Sequence, residues 1–72
     1  MGFGAVHTIY SEEGWRNTLE GAAPLAGVYE TKEEAVDAGR AQAENLQTEH
    51  LIHSEDGTIV ERHSYGARRL AG

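Results

Sequence analysis

Polar and apolar positions alternate along the first twenty residues of the chain. The alternation runs over residues 5–10, stops at a polar run over 11–14 that ends in glycine, and resumes over 15–19. This pattern predicts two strands joined by a turn, a β-hairpin. The side chains that share one face are Val6, Thr8 and Tyr10 in the first strand, and Trp15, Asn17 and Leu19 in the second.

A helical spacing of small residues follows Thr31. Thr31 and Glu34 form a T-x-x-E capping box, which predicts a helix that starts at Thr31 and ends near Gln47. Gly39 lies in mid-helix, where glycine costs ~1 kcal/mol relative to alanine. We therefore expect the helix to pack closely against a sheet at this position. The residues expected on the packed face are Ala35, Ala38, Gly39, Ala43 and Leu46.

The segment between the hairpin and the helix carries weaker signals. Residues 21–24 interrupt the extended pattern with glycine and proline, and Leu25 to Tyr29 predicts a short third strand. Gly27 weakens that strand because glycine has no side chain to pack.

A second hairpin is predicted over residues 48–63, around the turn pair Asp56 and Gly57. The loop length decides which side chains meet, and the sequence leaves two registers open. A loop of two or four residues groups Ile52 with Ile59, whereas a three-residue loop with a bulge groups Ile52 with Val60. In the first register one face carries His50, Ile52, Ile59, Glu61 and His63, and the other carries Leu51, His53, Val60 and Arg62.

These elements predict an α+β fold. The expected architecture is a small antiparallel sheet of two hairpins plus a short strand, packed on one face by a single α-helix. The order along the chain is β-β-(β)-α-β-β. A single domain is expected over residues 5–66, with flexible tails at residues 1–4 and 67–72.

Several short motifs in this order resemble a family of small bacterial proteins, the domain of unknown function numbered two-one-eight-eight. They are Gly14-Trp15, the run from Val28 to Ala35, Ala38-Gly39-Arg40, the run from His53 to Ile59, and His63-Ser64-Tyr65-Gly66. The resemblance covers roughly Val6 to Gly66. The chain departs from the usual pattern over 21–27 and at Gly39, where a larger residue is common. The resemblance implies the fold and no activity.

Composition and charge narrow the function classes. The chain has 72 residues, no cysteine, and a formal net charge of -6. Without cysteine there is no disulfide, no thiolate zinc site and no thiol nucleophile. The acidic charge repels phosphate backbones and anionic lipids. No apolar run approaches the ~20 residues of a membrane span, and the first residues do not form a signal peptide. We expect a cytoplasmic protein with no membrane contact.

Three histidines of the second hairpin suggest a metal site. If His50 and His63 are directly opposed, their imidazoles could share a metal ion, with Glu61 as a third ligand. The competing interpretation is that they are half-buried sheet residues with ordinary hydrogen bonds, and no established zinc spacing is present. We therefore predict no metal site and no cofactor, and keep His50, Glu61 and His63 as candidate ligands.

Catalysis and nucleic-acid binding have less support. No serine lies in a nucleophile elbow, and a chain this short leaves little room for a pocket, so we expect no enzymatic activity. A positive cluster could contact phosphate while Tyr65 beside it stacks on a base; its members are Arg62, His63, Arg68 and Arg69. The acidic net charge argues against this alternative.

Self-association is the function that the sequence favours. One helix cannot cover both faces of a four- or five-stranded sheet, and both faces of the second hairpin carry aliphatic residues. An uncovered apolar face usually marks a contact surface, and a symmetric pair is the commonest way to bury it. We predict a protein-binding module that forms a homodimer. The candidate interaction residues are Leu51, His53, Val60, Arg62, Tyr65, Arg68 and Arg69.

Overall fold

The computed structural model describes residues 4–22, 25 and 27–66. The described part contains four strands and one helix in the order β-β-α-β-β, which confirms the predicted α+β class. The expected tails at residues 1–3 and 67–72 lie outside the described residues. The elements are β1 (Val6–Ser11), β2 (Gly14–Leu19), α1 (Lys32–Leu46), β3 (Glu49–His53) and β4 (Ile59–Ser64).

The four strands form one sheet in the spatial order β2-β1-β3-β4. β1 and β2 pair antiparallel, with Thr8 opposite Asn17, as the alternation predicts. β3 and β4 also pair antiparallel, but β1 and β3 run parallel, with His7 opposite Leu51. The sheet is therefore mixed, and the prediction of a purely antiparallel sheet is wrong in this detail.

The parallel pair follows from the path of the chain between β2 and α1. The amide of Leu25 donates to the carbonyl of Asn17, and Tyr29 and Trp15 exchange two backbone hydrogen bonds of 2.7 and 2.8 Å. This segment thus returns along β2 to the opposite end of the sheet. α1 then brings the chain back to the end where β1 starts, so β3 must run in the same direction as β1.

The predicted third strand is reduced to a single bridge. Among the described residues of 25–29, only Tyr29 makes a β-bridge, and its partner is Trp15. Gly27 has φ +104, outside the extended region, which interrupts the strand. Ala26 lies outside the described residues.

The helix starts and ends close to the predicted positions. The Thr31 hydroxyl accepts a hydrogen bond from the Glu34 amide at 3.2 Å, and Gln47 ends the helix in the left-handed region. The buried residues of α1 are Ala35, Gly39 and Ala43. The helix backbone packs on β1, β2 and β3 and lies away from β4. The core therefore lies between α1 and the first three strands, with Val6, Trp15 and Ile52 among its buried side chains.

The second hairpin combines parts of the two registers left open by the sequence. His50 lies opposite His63 and Ile52 opposite Glu61, as in the first register. The register then shifts, and His53 lies opposite Ile59, so that Val60 is the extra residue of a β-bulge. The bulge moves Ile59 to the face of His53, away from α1.

Thr48 joins the two ends of the described fold. Its hydroxyl donates to the carbonyl of Gly4 at 3.0 Å, and its own carbonyl accepts from the amide of Tyr65 at 3.2 Å. Gly4, expected to belong to a flexible tail, is therefore held against the start of β3.

Candidate interaction surface

β4 is the most exposed element of the sheet. All six of its residues are exposed, and Ile59 and Val60 keep 46% and 50% of their surface accessible. The cause is the position of the strand: β4 lies at the edge of the sheet, beyond the reach of α1. The edge surface, defined here as Ile59–Ser64, therefore combines exposed aliphatic side chains with a strand edge that no other described strand pairs with.

A groove runs between α1 and β4 because the helix stops short of the strand. Its volume is about 510 Å³. The floor is Ile52, and one wall is Glu61 of β4. The other wall comes from the first turns of the helix, namely Lys32, Glu33, Val36 and Asp37. Three acids and one lysine line the groove, so it has no continuous apolar surface.

Beneath the helix, Thr8 connects a buried set of polar side chains. Its hydroxyl donates to Asn17 Oδ1 at 2.6 Å and lies 2.7 Å from His50 Nε2. Because the hydroxyl has one proton, His50 Nε2 must be the donor in the second bond. Asn17 Nδ2 in turn donates to the carbonyl of Ala35 in α1 at 3.0 Å. The three side chains are almost fully buried, so they position the helix and are closed to ligands.

Burial keeps His50 neutral. It lowers the pKa of His50 below 6.5 because the charged form loses hydration, and the nearby His63 and Arg40 charges lower it further. A neutral ring that carries its proton on Nε2 can donate the hydrogen bond to Thr8.

The candidate metal ligands do not converge. His50 and His63 are opposed, as predicted, but His50 Nε2 is turned to Thr8. His63 Nε2 instead lies 3.0 Å from Glu61 Oε1, and this hydrogen bond lowers the pKa of Glu61. Within residues 4–22, 25 and 27–66, no three His, Asp or Glu side chains are arranged to hold a metal ion.

The predicted interaction residues are spread over different environments. Val60 and Arg62 are exposed on the edge surface, whereas Leu51 is 7% exposed. His53 is half-buried and hydrogen-bonds through both ring nitrogens. The half-buried Tyr65 stacks with His63 at a centroid distance of 6.5 Å. Arg68 and Arg69 lie outside the described residues.

Sequence reasoning missed a second polar cluster, on the sheet face opposite the helix. His7 of β1 lies between His53 of β3 and Glu20, with ring nitrogens 2.8 and 2.6 Å from their partners. His7 and His53 are 46 residues apart, and only the parallel pairing of β1 with β3 brings them together. The alternation of side chains within each strand was the available signal, because it shows which face of the strand each histidine occupies. It cannot show that the two histidines are neighbours until the strand order is known.

The mixed four-stranded sheet with one covering helix defines a small α+β domain of the ββαββ type. The chain belongs to the family described as an uncharacterized protein conserved in bacteria, DUF2188, which matches residues 6–65. This match confirms the resemblance seen in the sequence.

The chain is similar to the uncharacterized protein YdaT of Bacillus subtilis (strain 168), with 30% identity over 63 residues. The aligned region covers 88% of this chain and 42% of that protein, so the chain spans less than half the length of this relative. No solved structure matches the chain. In the described part of the chain, no helix is long and apolar enough to cross a membrane.

Proposed function

We propose that this protein is a non-catalytic protein-binding module that self-associates through the edge surface Ile59–Ser64. The observation that carries the proposal is the exposure of every residue of β4 on a strand that lies at the edge of the sheet. A strand in this position presents free backbone donors and acceptors, and these can pair with a second strand.

The hydrogen-bond pattern identifies the free groups. The Tyr65 amide donates to Thr48, so Thr48 and Tyr65 form a hydrogen-bonded pair. Every second pair along the strands is of this kind, so His63 also directs its backbone groups towards His50 of β3. Antiparallel strands alternate between pairs that face each other and residues that face away. Arg62 and Ser64 therefore direct their amides and carbonyls away from β3. A second copy of β4 could receive both.

Charge supports a second copy of the chain as the partner. The chain has 12 acids against 6 lysines and arginines, so two copies repel each other over most approaches. The edge surface is an exception, because Glu61 is followed directly by Arg62 and His63. Two molecules can therefore meet at β4 without bringing surplus acids together.

The expected affinity is modest. Burial of about 400 Å² of apolar surface at ~25 cal/mol per Å² gives about 10 kcal/mol, and the loss of free motion on association costs a comparable amount. Sedimentation velocity should therefore span from about 1 µM to 1 mM, a range of roughly 4 kcal/mol in binding free energy. We expect the weight-average mass to rise from one chain to two across this range.

Two edge variants test the location. Arg62→Pro removes an outward amide, at a position where an edge strand tolerates proline. Val60→Lys adds charge to an aliphatic side chain that is 50% exposed. Both should sediment as monomers at concentrations where the wild type is a dimer. Val28→Lys is the matched control, because Val28 is 43% exposed but lies outside β4, and it should still dimerise.

Two results would refute the proposal. The first is a wild-type chain that stays monomeric at the highest concentration. The second is a dimer that both edge variants leave intact. Circular dichroism of each variant establishes whether the fold is retained before the masses are compared.

Nucleic-acid binding is the second candidate function. The observation that favours it is the stacked pair of His63 and Tyr65, two rings 6.5 Å apart on which a base could stack. Fluorescence anisotropy with single- and double-stranded DNA and RNA at low salt is the test, since phosphate contacts are strongest there. A Tyr65→Ala variant should lose any binding that depends on stacking, and no change of anisotropy with any probe would exclude the idea.

A further inference from the structure

A continuous chain of hydrogen bonds crosses the sheet face opposite the helix. His7 Nε2 lies 2.6 Å from Glu20 Oε2, and His7 Nδ1 lies 2.8 Å from His53 Nε2. His53 Nδ1 lies 3.0 Å from the carbonyl oxygen of Gly57, in the turn between β3 and β4. The chain thus links the end of β2, the two central strands and the turn of the second hairpin.

The number of protons in this series of hydrogen bonds follows from its two terminal acceptors, the Glu20 carboxylate and the Gly57 carbonyl. Glu20 is ionised, because the hydrogen bond from His7 lowers the pKa of its carboxyl. A carboxylate and a carbonyl can only accept, so the outer nitrogens of both rings must carry hydrogen. The inner contact between His7 and His53 needs a third nitrogen-bound hydrogen. Two neutral imidazoles carry only two N–H hydrogens, so the complete series of hydrogen bonds requires one additional proton and one positive charge.

The surroundings of the pair contain charges of both signs. The side chains that share its face by strand alternation include Arg16 of β2, Glu49 of β3 and Arg62 of β4, while Asp56 lies in the turn. On the other face, α1 packs over the neutral His50, and the Arg40 charge acts there. None of these groups is hydrogen-bonded to the pair, whereas the Glu20 carboxylate is, so Glu20 supplies the direct counter-charge.

We propose that His7 and His53 bind one shared proton, and that this proton fastens the turn of the second hairpin to β1 and to Glu20. When the proton leaves, either two lone pairs face each other at 2.8 Å or one end acceptor loses its donor. The fastened turn therefore holds one more proton than the released turn. By linkage, fastening strengthens as pH falls and weakens as pH rises.

Nuclear magnetic resonance of ¹⁵N-labelled full-length chain tests the shared proton directly. An N–H···N hydrogen bond produces a scalar coupling between the two nitrogens. We expect that coupling between His7 Nδ1 and His53 Nε2 at low pH, and its loss in one step as pH rises. Both rings should change shift with the same midpoint, because a single proton belongs to the pair.

Amide exchange tests the structural consequence. The amides of Ser54 and Gly57 donate within the turn, to Thr58 and to Ser54. After correction for intrinsic rates, their protection should fall up to about tenfold per pH unit as the shared proton leaves. These measurements use a dilute, monomeric sample, so they do not depend on the proposed self-association.

Three variants make the test specific. Glu20→Gln removes the counter-charge and should move the midpoint to lower pH, while His53→Gln should abolish the coupling and the pH dependence of the turn. His63→Gln is the matched control, because His63 also bonds to a glutamate but lies outside the chain of bonds. It should leave both readouts unchanged.

Separate midpoints for the two rings, with no coupling at any pH, would overturn the proposal. If a chelator removes the interaction between the rings and zinc restores it, a metal ion binds between them, and the proposal also fails. If His53→Gln does not fold, the titration midpoint of Glu20→Gln decides instead. A midpoint equal to that of the wild type would show that Glu20 is not the counter-charge, and it would contradict the proposal.

Discussion

A β-carbon added to Gly39 would lie 2.5 Å from the Oδ1 atom of Asn17. It would also lie 2.7 Å from His50 Nε2 and 2.9 Å from the Thr8 hydroxyl. These distances are too short for carbon contacts, and all three partners are fixed by hydrogen bonds to each other. The glycine in mid-helix therefore allows α1 to close over a polar cluster that cannot move aside.

Gly39→Ala should destabilise the fold despite its better helix propensity. Overpacking costs about 1–3 kcal/mol, against a gain of ~1 kcal/mol from propensity. Urea unfolding followed by circular dichroism measures the difference. Ala41→Gly, on the exposed side of the helix, is the control and should lose ~1 kcal/mol through propensity alone. A more stable Gly39→Ala would show that the cluster yields to the methyl group.

Thr8→Val should destabilise the fold with little change of shape. The substitution removes the hydroxyl that bonds both Asn17 and His50, so two buried groups lose a partner. Such a loss costs about 1–3 kcal/mol. Thr18→Val, on the opposite face of the same hairpin, should change stability by less than about 0.5 kcal/mol. Equal unfolding midpoints for the two variants would contradict the role of Thr8.

His50 should make stability fall as the solution becomes more acidic. Its pKa is lowered in the folded state, mainly by burial, so the unfolded chain takes up a proton first. The contribution is complete above about pH 6.5 and is lost as pH falls from there towards the folded pKa. The slope has an upper limit of about 1.4 kcal/mol per pH unit.

Unfolding curves between pH 5 and 8 check this dependence. His50→Gln should remove the His50 contribution to the slope, whereas His63→Gln should retain most of it, because burial is the larger cause of the lowered pKa of His50. This dependence has the opposite sign to that of the shared proton, so the two effects separate by variant. A wild-type slope that survives His50→Gln would assign the titration to another group.

Asp56 should titrate at about pH 2. Hydrogen bonds from the Ser54 hydroxyl and the Thr58 amide hold the pKa of its carboxyl at about 2, against an ordinary 3.8. The folded pKa is depressed, so its contribution to the turn is present above about pH 4 and is lost as pH falls towards 2. Carboxyl ¹³C shifts give the value. Ser54→Ala should raise it, and Ser64→Ala should not.

Local signals predicted most of the individual elements. The capping box of Thr31 and Glu34 and the turn glycines fix helix and hairpins through contacts only a few residues apart. These signals depend on neighbours in sequence, so they can be evaluated before the tertiary structure is known. The small-residue face of α1 was predicted in the same way.

The arrangement of the two hairpins could not be predicted from such signals. The parallel pairing of β1 with β3 depends on how Leu25 and Tyr29 bond to β2, which local preferences leave open. The bulge at Val60 and the contact of His7 with His53 follow from that arrangement. Of the candidate metal ligands, His50 and His63 are opposed as in the first register, but Thr8, distant in sequence and on the neighbouring strand β1, already bonds His50.

The hydrogen bonds of Thr48 affect how this domain can be joined to others in one polypeptide. Because one threonine bonds both Gly4 and Tyr65, the chain enters and leaves the domain at the same place. Domains with adjacent ends can be inserted into a surface loop of a host protein without stretching it, and they tolerate circular permutation. A short linker from Gly66 to Gly4, with new ends opened in the turn at Glu12 and Glu13, would preserve every strand and the helix. The same geometry lets this domain form part of a longer polypeptide at little conformational cost.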